Sequence, residues 1–258
     1  MNIIVAIPFY NEEKTILKTL ESFLYPSFLE RTSFLLIDNN STDRSVQIIK
    51  KFKQANPQLN LEIDSESKQG VVFARKKALD QALESGSKII ISTDADTVFN
   101  PQILEEILAF YKNKDYDVFA GKGTIPDQQK LLRLLYFPEF VKLSTVLWNL
   151  EFKIFGKYFF GSCFALKTSF YKKIRPFFDI KKSLVINQKG AEDLLLSRRA
   201  YYMNGRFLRS KSKVITSPRR FTADPVNWLI GERKKEYRNT KFAIDKKTLS
   251  YIKINQQK

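Results

Sequence analysis

Apolar positions recur along the first half of the chain in two alternating rhythms. Residues 3–8 (Ile3-Ile4-Val5-Ala6-Ile7-Pro8) form an unbroken, β-branched apolar run, as expected of a strand buried on both faces. Over residues 13–24 the spacing changes: Ile16, Leu17, Leu20 and Phe23 share one stripe, which predicts a helix. The alternation continues with a strand at 33–38 and a helix at 43–53, in which Val46, Ile49 and Phe52 are in phase. A strand at 59–63, a helix at 71–84 and a strand at 87–93 follow. Next come a helix at 101–112, with Pro101 at its first position, and a strand at 117–121. Repeated βα units predict a mainly parallel, doubly wound sheet with helices on both faces and right-handed crossovers. The fold class is α/β, a three-layer α/β/α sandwich.

The second half breaks this rhythm. Residues 127–155 are long, aromatic and amphipathic, with Pro138 as the expected break. Residues 158–167 read as a strand around Gly161-Ser162, 191–203 as a helix, and 206–209 with 213–216 as a short strand pair. Beyond Thr222 a basic helix is expected, with Asp224 as N-cap and Pro225 at N1. In it Val226, Leu229 and Ile230 lie close together beside Trp228, and Arg233, Lys234, Lys235 and Arg238 follow. The expected organisation is one domain over residues 1–221, with residues 222–258 a basic helix and a loosely held tail packed on it.

Composition narrows the chemistry. At 258 residues and 43% hydrophobic content the chain is long enough for one full core. Cys163 is the only cysteine, which excludes a disulfide framework within the chain and fits a reducing compartment. Without Cys or His partners it reads as a buried, inert thiol. The chain has no histidine, so any general base is Asp, Glu, Lys or Tyr. The net charge of +17 calls for a polyanionic partner: nucleic acid, an anionic membrane surface or phosphate-bearing substrates. Lysines that are simply solvated explain it equally well. No signal peptide is visible. The uncharged stretch 143–150 is far short of the roughly 20 residues that a membrane span needs. The expected location is cytoplasmic, with peripheral attachment to the inner face of the cell membrane through the basic helix left open.

Ser92-Thr93-Asp94-Ala95-Asp96-Thr97 directly follows the apolar run at 88–91. In an open α/β sheet, ligands bind at the carboxyl ends of strands. Two carboxylates there, Asp94 and Asp96, suit Mg²⁺ or Mn²⁺ shared with substrate phosphates. Other polar signals fall at the remaining strand ends. Pro8-Phe9-Tyr10-Asn11-Glu12-Glu13 follows the first strand and Asp38-Asn39-Asn40-Ser41-Thr42-Asp43 the second. Lys68-Gln69-Gly70 opens the helix that carries Arg75, and Gly190-Ala191-Glu192-Asp193 opens a later one. Each also has a plain structural reading as a turn or a capped helix.

This set, in this order, resembles the family 2 glycosyltransferases of the GT-A fold over about residues 2–220. The resemblance implies transfer of a sugar from a nucleotide diphosphate sugar, with inversion at the anomeric carbon, to a glycan, lipid or lipid-linked acceptor. It implies that Pro8, Tyr10, Glu12 and Asp38 line the nucleotide pocket, and that Gly70, Arg75 and the segment Asp94-Ala95-Asp96 meet the diphosphate sugar. It makes Asp96, with Asp94, the ligands of a divalent metal, although the distant His of many relatives is missing here. Asp193 becomes the general base and Glu192 its positioning partner. Gly161 and Ser162 would line the acceptor side. Arg219 and Arg220, just past the last strand, suit by their chemistry either a clamp on the diphosphate or a solvated basic patch. Where the family often carries a second Asp, this chain has Asn39, which leaves base preference open. Two rival classes remain: a metal-dependent nucleotidyltransferase, which also uses two carboxylates on an α/β sheet, and a non-catalytic basic nucleic-acid-binding protein. No RNA- or DNA-binding motif is visible, so nucleic acid is not an expected partner.

Overall fold

In chain order the elements are β1 (Ile3–Phe9), α1 (Ile16–Glu21), α2 (Pro26–Leu29), β2 (Thr32–Asp38), α3 (Ser45–Ala55), β3 (Asn60–Ser65), α4 (Val71–Glu84) and β4 (Ile89–Ser92). There follow β5 (Thr97–Val98), α5 (Pro101–Lys112), β6 (Val118–Thr124), β7 (Phe164–Lys167), α6 (Thr168–Ile174), α7 (Glu192–Tyr202) and β8 (Phe207–Thr216). They belong to a computed structural model that describes residues 2–124, 161–175 and 192–217.

β1 is buried at every position, which is why its sequence shows no polar alternation. Ile3, Val5, Ile7 and Phe9 enter the core on one face of the sheet, and Ile4 and Ala6 enter the core on the other. The first core receives Ile16 and Leu20 from α1, Phe28 from α2, Ile49 and Phe52 from α3, and Ile103 and Ile107 from α5. The second receives Ala74 and Ala78 from α4, Phe170 and Ile174 from α6, and Leu196 and Ala200 from α7. The three-layer arrangement follows from this division. Phe23 is fully buried and packs against Phe28, Phe34 and Phe99, so truncating it to Ala costs about 3–5 kcal/mol.

Among the described residues the strands form one sheet of 8, in the order β3-β2-β1-β4-β7-β6-β8-β5. β3, β2, β1 and β4 are mutually parallel, β7 runs against both its neighbours, β6 and β8 are parallel, and β5 runs against β8. The predicted mainly parallel sheet is therefore observed, with β7 and β5 as its reversed members. Among the described residues no helix is long and apolar enough to cross a membrane.

Three expectations change. The first helix is shorter than residues 13–24, and Leu17 points outward at 41% exposure. A helix turns about 100° per residue, so the short α1 keeps one buried stripe, Ile16, Thr19 and Leu20. Thr19 is tolerated there because its Oγ1 donates to the Ala95 carbonyl at 2.9 Å. The two short strands expected at 206–209 and 213–216 are one ten-residue strand, β8, both ends of which pair with β6. The polar break between them, Ser210-Lys211-Ser212, is a bulge whose donors are taken up by Glu106 of α5. Finally, α2, β5 and α6 are additional elements. The segments at 127–155 and 222–258, with the boundary after 221, lie outside the described residues.

Candidate active site

The strand order fixes where a ligand belongs. From β1 the chain moves to β2 and β3 on one side, then returns to place β4 on the other side of β1. The crevice outside the carboxyl ends of β1 and β4 is thus a topological switch point. The two strands part there. Their last paired residues are Ala6 and Ser92, and Thr93 N still donates to Ala6 O at 3.3 Å. Pro8 lies just past that point on the β4 side of β1, where its missing N–H removes no ladder bond.

The loops after β1 and β2 are laced together. Asn11, at φ 53, accepts at Oδ1 from Thr42 N (2.8 Å), and its own N–H donates to Ser41 Oγ (3.1 Å). Glu12 N donates to Ser45 Oγ (2.7 Å) and Glu13 N to Asp43 Oδ2 (3.0 Å). Glu12 Oε2 accepts from Thr15 Oγ1 at 2.6 Å. Asp38 closes its own turn, with Oδ1 accepting from Ser41 N at 3.1 Å. Tyr10 is exposed at the rim.

Asn39 is buried, and its amide is committed to the loop before α4. Nδ2 donates to the carbonyls of Glu66 (2.9 Å) and Lys68 (2.8 Å), and Oδ1 accepts from Gly70 N (2.7 Å). This residue therefore latches the β2 loop to the start of α4. Gly70 is the N-cap of α4 at φ 131, a backbone conformation that a side chain would strain.

Arg75 sits one turn into α4, fully buried. Its Nε donates to Glu192 Oε1 (3.0 Å), its Nη1 to Ser92 Oγ (2.7 Å) and the Gly161 carbonyl (3.3 Å), and its Nη2 to Asp94 Oδ1 (2.5 Å). Burial works against its charge, but Asp94, Glu192 and Asp193 outweigh it and hold the guanidinium protonated. Asp193 Oδ2 in turn accepts from Gly161 N at 2.6 Å. A Cβ on Gly161 would stand 2.9 Å from Arg75 Nη2 and 3.4 Å from Asp193 Oδ2, so a side chain there would displace the guanidinium. Glu192 and Asp193 occupy the first turn of α7, where the helix dipole favours carboxylates.

The structure thus gathers Arg75, Asp94, Gly161, Glu192 and Asp193 into one cluster, with Pro8 and Asp38 at the ends of β1 and β2 and Tyr10, Glu12 and Gly70 on the adjoining loops. Ala95 is buried, with its carbonyl turned to Thr19. Asp96 is half-buried and faces β8: its Oδ1 accepts from Thr216 Oγ1 (3.4 Å) and its carbonyl from Ser217 N (3.2 Å). Ser162 lends its carbonyl to Thr93 Oγ1 at 2.8 Å. Arg219 and Arg220, two and three residues beyond Ser217, lie outside the described residues. Cys163 is buried, and burial pushes its thiol pKa up. Sequence reasoning missed Ser92 as an Arg75 partner.

Among the described residues no three His, Cys, Asp or Glu side chains group as a ready metal cage. One oxygen of Asp94 is already taken by Arg75. The second oxygen of Asp94 and the carboxylate of Asp96, one oxygen of which accepts from Thr216, are a small set of hard oxygens. It fits an ion that keeps its waters and shares substrate phosphate rather than one caged by protein.

The mainly parallel sheet between two helical layers, with acidic residues at its switch point, is of the GT-A type. The family model for Glycosyl transferase family 2 matches residues 4–175, and the chain belongs to that family. A stretch of 114 residues is 32% identical to the minor teichoic acid biosynthesis protein GgaA of Bacillus subtilis (strain 168), spanning 43% of this chain and 25% of that protein. The chain thus spans about a quarter of that relative's length. The fold is similar to S. aureus TarS 1–349 in complex with UDP, at TM-score 0.59 and 21% identity over 86% of this chain and 63% of that one. It is also similar to the mannosyltransferase PcManGT of Pyrobaculum calidifontis in complex with GDP-Man and Mn²⁺, at TM-score 0.56 and 18% identity over 83% and 56% of the two chains. The family match supports glycosyl transfer over nucleotidyl transfer and over nucleic-acid binding.

Proposed function

We propose that this chain transfers a sugar, with inversion, from a nucleoside diphosphate sugar to a hydroxyl of a phosphate-bearing glycan or lipid-linked glycan. The observation that carries the reading is the convergence of Asp94, Glu192 and Asp193 on Arg75 at the switch-point crevice. The nucleotide lies over Asp38 and the loop after β1, and its diphosphate points toward Asp94 and Asp96. Asp193 takes the proton of the acceptor hydroxyl. The acceptor oxygen bonds to the anomeric carbon from the side opposite the diphosphate, the bond from that carbon to the diphosphate breaks, and the nucleoside diphosphate leaves with the electron pair. Arg219 and Arg220, which follow Ser217, are candidates to meet its charge. Asp96 and the second oxygen of Asp94 would hold Mg²⁺ or Mn²⁺, which when bound offsets the leaving group's charge. PcManGT with Mn²⁺ supports that assignment, as does the surplus of carboxylates over Arg75, which would otherwise repel a diphosphate. The phosphate-bearing acceptor is supported by the net charge of +17 and by the name of the GgaA relative.

The test pairs binding with turnover. Calorimetry with UDP-, GDP- and dTDP-sugars, with Mn²⁺ and with chelator, should show one donor class binding more tightly with metal. Asp193→Asn should keep that affinity and lose at least about 10²-fold in transfer. Undiminished turnover in Asp193→Asn removes Asp193 as the base. No binding of any donor removes the reading.

A further inference from the structure

This inference rests on the functional reading above and concerns Arg75. As a motif residue on the first turns of α4 it would be placed to meet a diphosphate. Its surroundings give it other work. The side chain is 2% exposed, and each nitrogen of its fork already has an acceptor: Glu192, Ser92, the Gly161 carbonyl or Asp94. A phosphate would have to compete with these acceptors for a side chain that is almost wholly buried. The partners come from three separate places: the end of β4 with the loop after it, the turn before β7 and the first turn of α7. Gly161 closes the circuit, giving its carbonyl to Arg75 and its N–H to Asp193.

We propose that Arg75 is a positioning residue that joins the donor-side carboxylate Asp94 and the acceptor-side pair Glu192-Asp193 into one rigid unit, and touches neither substrate. In an inverting displacement the base and the leaving group stand on opposite sides of the reacting carbon. Their separation is therefore set by whatever ties Asp193 to Asp94. A misplacement of about 1 Å costs on the order of 10²-fold in rate. A planar guanidinium with donors in fixed directions holds such a separation. An ammonium on a flexible stem supplies the charge without the geometry.

Arg75→Lys and Arg75→Met separate the two. In Arg75→Lys the donor Kd by calorimetry should stay within about threefold of wild type while kcat falls about 10²-fold. Arg75→Met should fall further, so that Lys gives partial rescue. If the Arg75 variants fail to fold, Gly161→Ala reads the same effect with every charge in place. Its new Cβ stands 2.9 Å from Nη2 and moves the fork, and the same loss in kcat with unchanged donor Kd is expected. An Arg75→Lys enzyme with wild-type kcat overturns the proposal. So does one whose donor Kd weakens tenfold or more, which would make Arg75 a ligand of the diphosphate; either result leaves the proposed function standing. A wild-type protein that binds no nucleoside diphosphate overturns the proposed function, and this inference with it.

Discussion

Asn39 illustrates what a single amide decides. Its NH₂ serves two carbonyls and its oxygen one N–H, all from the loop that ends at Gly70. Asn39→Asp would set a carboxylate oxygen against the carbonyls of Glu66 and Lys68, leaving two part-buried acceptors facing a like partner. Urea unfolding should show a loss of about 3 kcal/mol, and the start of α4 should lose protection from hydrogen exchange. The Asp expected by family resemblance at this position would thus require a different loop before α4. From sequence alone Asn39 reads as a change in how the base is recognised. Its latch role is hidden because Glu66 and Gly70 are 27 and 31 residues away. The same holds for the active carboxylates. Asp94 and Asp96 are legible because they end a buried strand, and Glu192-Asp193 because they open a helix. That Arg75 unites them is not legible, since Glu192 and Gly161 lie 117 and 86 residues from it.

Among the elements, β8 depends on a side chain outside the sheet. Glu106 of α5 accepts from Lys211 N (2.8 Å), Ser212 N (2.9 Å) and Ser210 Oγ (3.0 Å), the donors that the bulge removes from the β6 ladder. Partial burial raises the Glu106 pKa, but the bonds from Ser212, Lys211 and Ser210 outweigh it and hold the carboxyl below its usual range. Glu106→Ala leaves those donors without their acceptor and should cost roughly 1–3 kcal/mol in chemical denaturation, with exchange faster at Lys211 and Ser212. The sequence pattern divides β8 in two because Ser210-Lys211-Ser212 is polar, and no local signal announces a carboxylate more than 100 residues earlier. At the other edge Asp64 of β3 meets Lys77 Nζ and Gln81 Nε2 of α4, both at 2.7 Å, which hold its pKa at about 2. A folded pKa below the unfolded value of about 3.9 means stability that is present above pH ~4 and lost as pH falls toward 2. Asp64 is 40% exposed, so the contribution is under about 1 kcal/mol. Asp64→Asn should melt earlier than wild type at neutral pH and together with it near pH 2. Where burial dominates, as in β1, β2, β4 and α5, the apolar pattern located the elements closely. It overran α1, whose ends are set by turns rather than by its stripe.

For the molecule as a whole, 44 basic against 27 acidic residues produce the net charge of +17. The site itself is acidic, so the excess lies elsewhere and suits a long anionic acceptor or an anionic bilayer. The basic stretch at 228–238 makes the second option testable. The protein should pellet with phosphatidylglycerol-rich vesicles near 0.01 M salt, where fields extend about 30 Å, and release near 1 M, where they extend about 3 Å. Reversing Lys234, Lys235 and Arg238 to Glu should weaken the pelleting. Indifference to vesicles at low salt would limit the charge to solubility and a soluble acceptor. The reversed strand β7 carries a separate consequence. β6 delivers the chain to the carboxyl end of the sheet at Thr124. Because β7 runs the other way, the chain re-enters at that same end at Gly161, beside Asp193. The chain between Thr124 and Gly161 therefore leaves and rejoins the described sheet at its carboxyl end. Exchanging residues 125–160 between family members should change which hydroxyl is glycosylated and leave the nucleotide sugar unchanged, as read by linkage analysis of the product.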